Sequence, residues 1–172
     1  MCKISAFFYG TLCSGNSNFH FCRHATSIES ATVCGRLYRL SVGYPVLLVP
    51  AENILAKGTT SPTRDARTQF ERNSEEIDFR MPSGWSEVHR ELMTFDNPEI
   101  SLPPIDALEG CPRYYQRVLI PVRRNKGGIS TAWVYIMDHT PPGSTLLRSG
   151  CWQPYPRLRQ FKPRYNTNRH QL

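Results

Sequence analysis

Two short stretches hold residue types that together do acid–base and anion-binding chemistry. Phe8-Tyr9-Gly10-Thr11-Leu12 sets a glycine and a small hydroxyl residue directly after an apolar, aromatic-rich run. A chain turning there gathers successive backbone N–H groups into one concavity, which suits a carboxylate or a developing oxyanion. The same residues also fit an ordinary tight turn. Ile105-Asp-Ala-Leu-Glu109-Gly110 places Glu109 at the C-terminal end of a short helical segment, where unpaired carbonyls disfavour an anion. Ile105 and Leu108 point to partial burial, and Asp106, one turn earlier, adds like charge if it lies close. Each effect raises a carboxyl pKa toward the value a general base needs near neutrality. A solvated surface acid ahead of a helix-ending glycine has the same pattern.

Other chemistries find less support. His20 and His24 stand at i, i+4 with Cys22 between them and Cys13 upstream, but no carboxylate or second thiol follows at ligand spacing, so no metal is expected. No Ser or Cys occupies a nucleophile elbow, and no Gly-rich loop has the spacing that cradles a phosphate, so no cofactor is expected either. Near the C-terminus, Trp152, Tyr155, Phe161 and Tyr165 interleave with Arg157, Arg159, Lys162, Arg164 and Arg169. Single-stranded nucleic-acid platforms share that interleaving. Pro154, Pro156 and Pro163 favour instead an extended strap or a solvated terminus.

The elements that must position these residues belong to a chain of 172 residues, 40% apolar and 11% aromatic, enough for one core. A single domain is expected over 1–152, followed by a basic aromatic tail over 153–172. The net charge is +7, and residues 139–172 carry six basic side chains and no acid, which leaves the rest near neutrality. No apolar stretch approaches the ~20 residues of a membrane helix, and Gly10 interrupts the opening run too early for a signal-peptide core. The expectation is a soluble, cytoplasmic protein without membrane contact, whose six cysteines stay reduced; no C-x-x-C pair occurs.

Strands are expected over 3–9, 31–40, 46–49, 88–95, 115–122 and 129–137, the last two joined by Arg-Arg-Asn-Lys-Gly-Gly as a hairpin. Helical turns are expected over 19–25 and 105–108, the latter after Pro103-Pro104 and closed by Gly110, with a weaker signal over 64–76. Residues 51–87 are polar and broken by Gly and Pro, the composition of an insertion or flap. About six short strands with little helix between them exclude a doubly wound sheet and fit an α+β fold. The expected form is a small mixed, mainly antiparallel β-barrel flanked by a few short helices.

In this order the pieces resemble the gamma-glutamylcyclotransferase family, which includes gamma-glutamylamine cyclotransferases. The matching segments are Phe8-Tyr9-Gly10-Thr11-Leu12 with Ser14-Gly-Asn-Ser-Asn18, Gly35-Arg-Leu-Tyr38 leading to Gly43-Tyr-Pro45, and Glu91-Leu92. The fullest is Ile105-Asp-Ala-Leu-Glu109-Gly-Cys-Pro-Arg-Tyr-Tyr115-Gln-Arg117-Val, and Trp133-Val-Tyr135 with Ser149-Gly-Cys-Trp152 closes the set. The resemblance implies a cavity in which the Tyr9–Leu12 turn faces Glu109. Glu109 would move protons while the α-amine of a gamma-glutamyl group attacks its own side-chain amide, releasing an amine and 5-oxoproline. It further implies that Gly10, Thr11 and Leu12 hold the substrate through backbone N–H groups and that Tyr9 and Tyr115 line the pocket. Three features depart from the family pattern: His89-Arg90 before Glu91, the length of 51–87, and the tail after Trp152. Two other readings stand beside the enzyme: a silent module that binds a small carboxylate, and a nucleic-acid or acidic partner held by residues 148–169.

Overall fold

The strands β6 (Gln116–Arg124) and β7 (Ile129–Ile136) read as continuous apolar runs because both of their faces are covered. Val118, Ile120 and Val122, with Ala132, Val134 and Ile136, enter one core cluster, while Leu119, Trp133 and Tyr135 enter another. Strand β1 (Ile4–Phe8) divides the same way, giving Phe7 to the first cluster and Ile4, Ala6 and Phe8 to the second. This is the period-2 alternation of a strand.

The computed structural model describes residues 3–154. Within it, five strands close a ring. β2 (Ala25–Arg39) pairs with β5 (Ser86–Phe95), β5 with β1, β1 with β7, β7 with β6, and β6 returns to β2 through Ala31↔Arg124 and Thr32↔Arg123. Only the β1–β7 pair is parallel. β3 (Pro45–Leu48) and β8 (Thr145–Leu146) extend the sheet from β2, and β4 (Ala56–Lys57) extends it from β6. The expected barrel is therefore present; the eight described strands exceed the expected six because β4 and β8 are too short to show a period. His89 and Arg90 leave the register intact, pairing with Thr32 and Ala31.

Two helices cover the second cluster, α1 (Pro62–Asn73) through Ala66 and α2 (Pro98–Glu109) through Leu102 and Ile105. Ser61 and Asn97 cap them by accepting from the N–H groups of Arg64 and Ile100, each followed by a proline that has no N–H to leave unpaired. α2 begins earlier than the expected turn over 105–108 and runs through Pro103 and Pro104. Both prolines lie on its exposed side, together with Glu99 and Ile100, whose carbonyls they leave free for water.

Residues 51–73 differ from the expected flap. They contribute β4 and α1, and Asp65, Ala66 and Gln69 are buried against the sheet, where Gln69 Nε2 donates to the carbonyls of Ser5 (3.0 Å) and Thr131 (2.8 Å). The following connection is docked too: Arg36 donates to the Gly84 carbonyl at 2.7 Å, and the Arg123 guanidinium stacks on Phe79 at 4.8 Å. At the other end, Trp152 is buried in the first cluster and donates to the Gly43 carbonyl at 3.0 Å, so it plugs the barrel and is no stacking platform. The expected tail beyond Pro154, with Tyr155, Phe161 and Tyr165, lies outside the described residues.

One buried cation ties helices to sheet. Arg117 points from β6 to the helix side and pairs with Asp65 of α1 and Asp106 of α2, and it donates to the Thr59 carbonyl at 2.9 Å. Asp65 in turn accepts from the Thr59 N–H and hydroxyl. Removing one partner strands buried charge, which costs about 3–5 kcal/mol. Asp65→Ala is therefore expected to lower the unfolding free energy by about that much, read as a reduced denaturant midpoint.

Candidate active site

β1 and β7 run parallel and end on the same side of the barrel. The gap between them, closed by the β2–β3 turn and the C-terminal end of α2, is a cavity of about 410 Å³. That size suits a small molecule. Tyr9, Gly10, Thr11, Leu12, Glu109 and Tyr115 all line it, so the structure gathers the residues singled out from sequence into one place.

The turn after β1 is held by its carbonyls and side chains. The Gly10 carbonyl accepts from the Cys13 N–H at 3.1 Å and from Asn16 Nδ2 at 3.0 Å. Asn18 donates twice to Thr11, from its backbone to the carbonyl and from Nδ2 to Oγ1, both at 3.0 Å. Glu91 secures the far side of the loop by accepting from the Ser14 N–H at 2.8 Å. Among the described residues, no hydrogen bond occupies the N–H groups of Gly10, Thr11 or Leu12. The turn also needs its glycine: a Cβ at Gly10 would sit 2.5 Å from Pro45 Cγ, and Pro45 forms the facing wall, its carbonyl accepting from the Tyr115 hydroxyl at 3.0 Å.

Glu109 is the last residue of α2, and Gly110 follows in the left-handed conformation, φ +60°, that ends the helix. Its carboxyl is largely buried, and burial pushes its pKa up to about 7. No described residue hydrogen-bonds it. Asp106, expected to contribute repulsion, is instead engaged by Arg117 and accepts from the Tyr135 hydroxyl at 2.7 Å. Burial raises the pKa values of Tyr9 and Tyr115, and the charge of Glu109 raises both further, which places the carboxyl near both rings.

Tyr135, read from sequence only as part of the Trp133-Val-Tyr135 segment and given no role at the site, lines the cavity as well. Its hydroxyl reaches Asp106 and its carbonyl accepts from the Tyr9 hydroxyl at 2.6 Å, linking the cavity wall to the buried Arg117 cluster. The available signal was Arg117 itself, a charge inside an apolar strand that requires an acid from elsewhere. His20 and His24 are exposed; His20 Nδ1 lies 3.2 Å from the Ser17 carbonyl and His24 Nε2 accepts from Arg23. Among the described residues, no group of three His, Cys, Asp or Glu side chains is placed to hold a metal.

A small closed barrel with an acid-bearing pocket at the mouth, next to a turn with free N–H groups, is the class that fold and site define. The family model for gamma-glutamyl cyclotransferase, AIG2-like, matches residues 6–72 and 77–154, and the chain belongs to that family. Among solved structures, YkqA from Bacillus subtilis is similar at a TM-score of 0.54 and 20% identity, over 87% of this chain and 39% of that one. A protein from Pyrococcus horikoshii gives 0.51 and 15% over 86% and 88%, and an AIG2-like protein from Mus musculus gives 0.47 and 19% over 82% of each chain. The chain thus spans well under half the length of YkqA and most of the other two. No curated protein matches it in sequence. No described helix is long and apolar enough to cross a membrane.

Two measurements test the site's physics. The folded state holds the Glu109 proton more tightly than the unfolded chain, so its contribution to stability is lost as pH rises from 4.5 to about 7. At about 1.4 kcal/mol per tenfold in proton affinity, Glu109→Gln is expected to be more stable than wild type by up to about 3 kcal/mol at pH 8. The gap should close below pH 4.5. Gly10→Ala should lose about 1–3 kcal/mol by forcing Pro45 away, measured by thermal unfolding.

Proposed function

We propose that the protein is a cyclotransferase that converts a gamma-glutamyl amide to 5-oxoproline and a free amine. Family membership makes this chemistry the first to consider, and the observation that carries it is the unpartnered, largely buried Glu109 carboxyl facing the Tyr9–Leu12 turn across one cavity.

The reaction asks little beyond that pair. Glu109 takes a proton from the substrate's α-ammonium, and the freed amine attacks the carbon of its own side-chain amide, closing a five-membered ring. The carbonyl electrons move onto oxygen, where N–H groups of residues 10–12 stabilise the oxyanion. The attacking nitrogen, a cation with two hydrogens once bonded, sheds one of them. As the carbonyl re-forms and the bond to the leaving nitrogen breaks, that nitrogen takes up this proton and the one held by Glu109, both passing through the carboxyl. It departs as an ammonium, so the acid ends as it began. A pKa of about 7 suits both transfers, because the acid accepts and donates at similar cost near neutrality. Ring closure draws mainly on a held conformer, worth up to ~7–11 kcal/mol, which the buried walls around Tyr9 and Leu12 can impose. The step consumes no water, and an inner wall that includes the buried Phe7, Phe8, Tyr9 and Leu12 fits that requirement.

Incubation with gamma-glutamyl amides should release 5-oxoproline, and Glu109→Gln should lower kcat by about 10²–10⁴-fold while retaining substrate binding. The wild-type kcat/KM should rise through pH 7 with the ionisation of Glu109 in the free protein. Undiminished turnover in Glu109→Gln would refute the assigned role. Substrate binding without turnover in the wild type would identify a silent module.

A further inference from the structure

We infer that Tyr135 is a positioning residue of the site, holding the Glu109 side and the Tyr9–Leu12 side of the cavity at a fixed separation through its hydroxyl and its carbonyl. This rests on the cyclotransferase reading and adds to it a residue that acts through others.

β1 and β7 pair at Ala6 and Trp133, and the cavity opens beyond that pair. Tyr135 lies two residues further along β7, where no pairing with β1 is made. Its carbonyl is met instead by the Tyr9 hydroxyl at 2.6 Å, so a phenol spans the gap where the ladder stops. Tyr9 directly precedes Gly10, and its place fixes the start of the turn that carries the free N–H groups. Moving Tyr9 away from β7 would break this bond and carry the turn with it.

The side chain of the same residue serves the opposite wall. Tyr135 stands across from Arg117 in the β6–β7 register, and both converge on Asp106: Arg117 through its guanidinium, Tyr135 through its hydroxyl at 2.7 Å. Burial, and then the charge of Asp106, holds the phenol's pKa well above its ordinary value, so it remains a donor around neutrality. Asp106 lies within one helical turn of Glu109 on α2. Arg117 and Asp106 do not line the cavity, whereas Tyr135 does. One residue of the sheet, 2% exposed, thus sets both the acid and the turn against a single reference point.

The titration of Glu109 gauges that placement. The ionisable groups around it are Tyr9 of β1, Tyr115 ahead of β6, Cys22 of the helical turn Phe19–Cys22, and Cys111 just past α2. Burial holds all four above their ordinary values, so they are uncharged near pH 7. No Lys or Arg lines the cavity. Burial is the cause of the raised Glu109 pKa, which therefore reports how closely the end of α2 is held to the wall. Loosening that hold admits water and lowers it.

The test follows the Glu109 carboxyl by isotope-edited carbon NMR in the purified full chain, its signal assigned by its loss in Glu109→Gln. The wild type should titrate at about 7, and Tyr135→Phe should move toward 4.5. Val134→Ala truncates the neighbouring residue, which enters the first core cluster; it should lower the denaturant midpoint and leave that titration unmoved. With gamma-glutamyl amides, Tyr135→Phe should lower kcat by roughly tenfold or more with KM little changed. The acid limb of its kcat/KM profile should shift to lower pH. An unmoved titration, an equal shift in Val134→Ala, or full kcat in Tyr135→Phe overturns the positioning. A shifted titration in a protein that turns over no gamma-glutamyl amide keeps the positioning and overturns the cyclotransferase reading alone. Should Tyr135→Phe not fold, Tyr9→Phe, which removes the bond to the Tyr135 carbonyl, is read by the same criteria.

Discussion

A guanidinium sealed from water must be answered by acids that arrive from other elements, and Arg117 is answered from both helices at once. Asp65 brings α1 and Asp106 brings α2 onto the same side of the barrel, and Tyr135 joins the network through Asp106. The position of Glu109 follows, because it lies three residues beyond Asp106 on α2. A helix fixed through Asp106 and through buried Leu102 and Ile105 has little freedom to move its last residue away from the cavity. The ionic cluster thus sets where the Glu109 carboxyl stands, although neither Arg117 nor Asp65 lines the cavity.

The same arrangement explains why two acids three residues apart behave differently. Asp106 is met by a cation and a hydroxyl, whereas Glu109 is met by neither and is buried largely among aromatic and aliphatic groups. Environment alone separates a structural anion from a carboxyl able to gain and lose its proton near neutrality. Across the gap, the turn after β1 keeps its N–H groups free because its carbonyls are engaged by Cys13, Asn16 and Asn18.

Much of this was legible in the residues. The continuous β-prone runs of β6 and β7, the Lys-Gly-Gly turn between them and Gly110 as a helix stop follow from short-range rules, and they emerge as expected. The start of α2 was missed because Pro103-Pro104 resemble a helix beginning, although Asn97-Pro98 carries the better cap. Residues 51–73 resembled a flap because the face of α1 toward the sheet is partly polar. Asp65 and Gln69 are buried there against partners more than fifty residues away, and a periodicity of apolar residues cannot register such bonds. The cavity was accessible only because two separate motifs each carried a chemical hint; Tyr135, an ordinary strand aromatic by pattern, carried none.

The parallel pairing of Ala6 with Trp133 also governs the order in which the molecule can assemble. As the polypeptide emerges from the ribosome, β1 gains β5 as its antiparallel neighbour first, while its other edge waits until β7 has been made. Closing the ring at that seam therefore joins segments from near the two ends of the described chain, a long-range contact that costs more loop entropy than the hairpin pairing of β6 with β7. The cavity, which opens where those two strands part, comes into being only with that final seam.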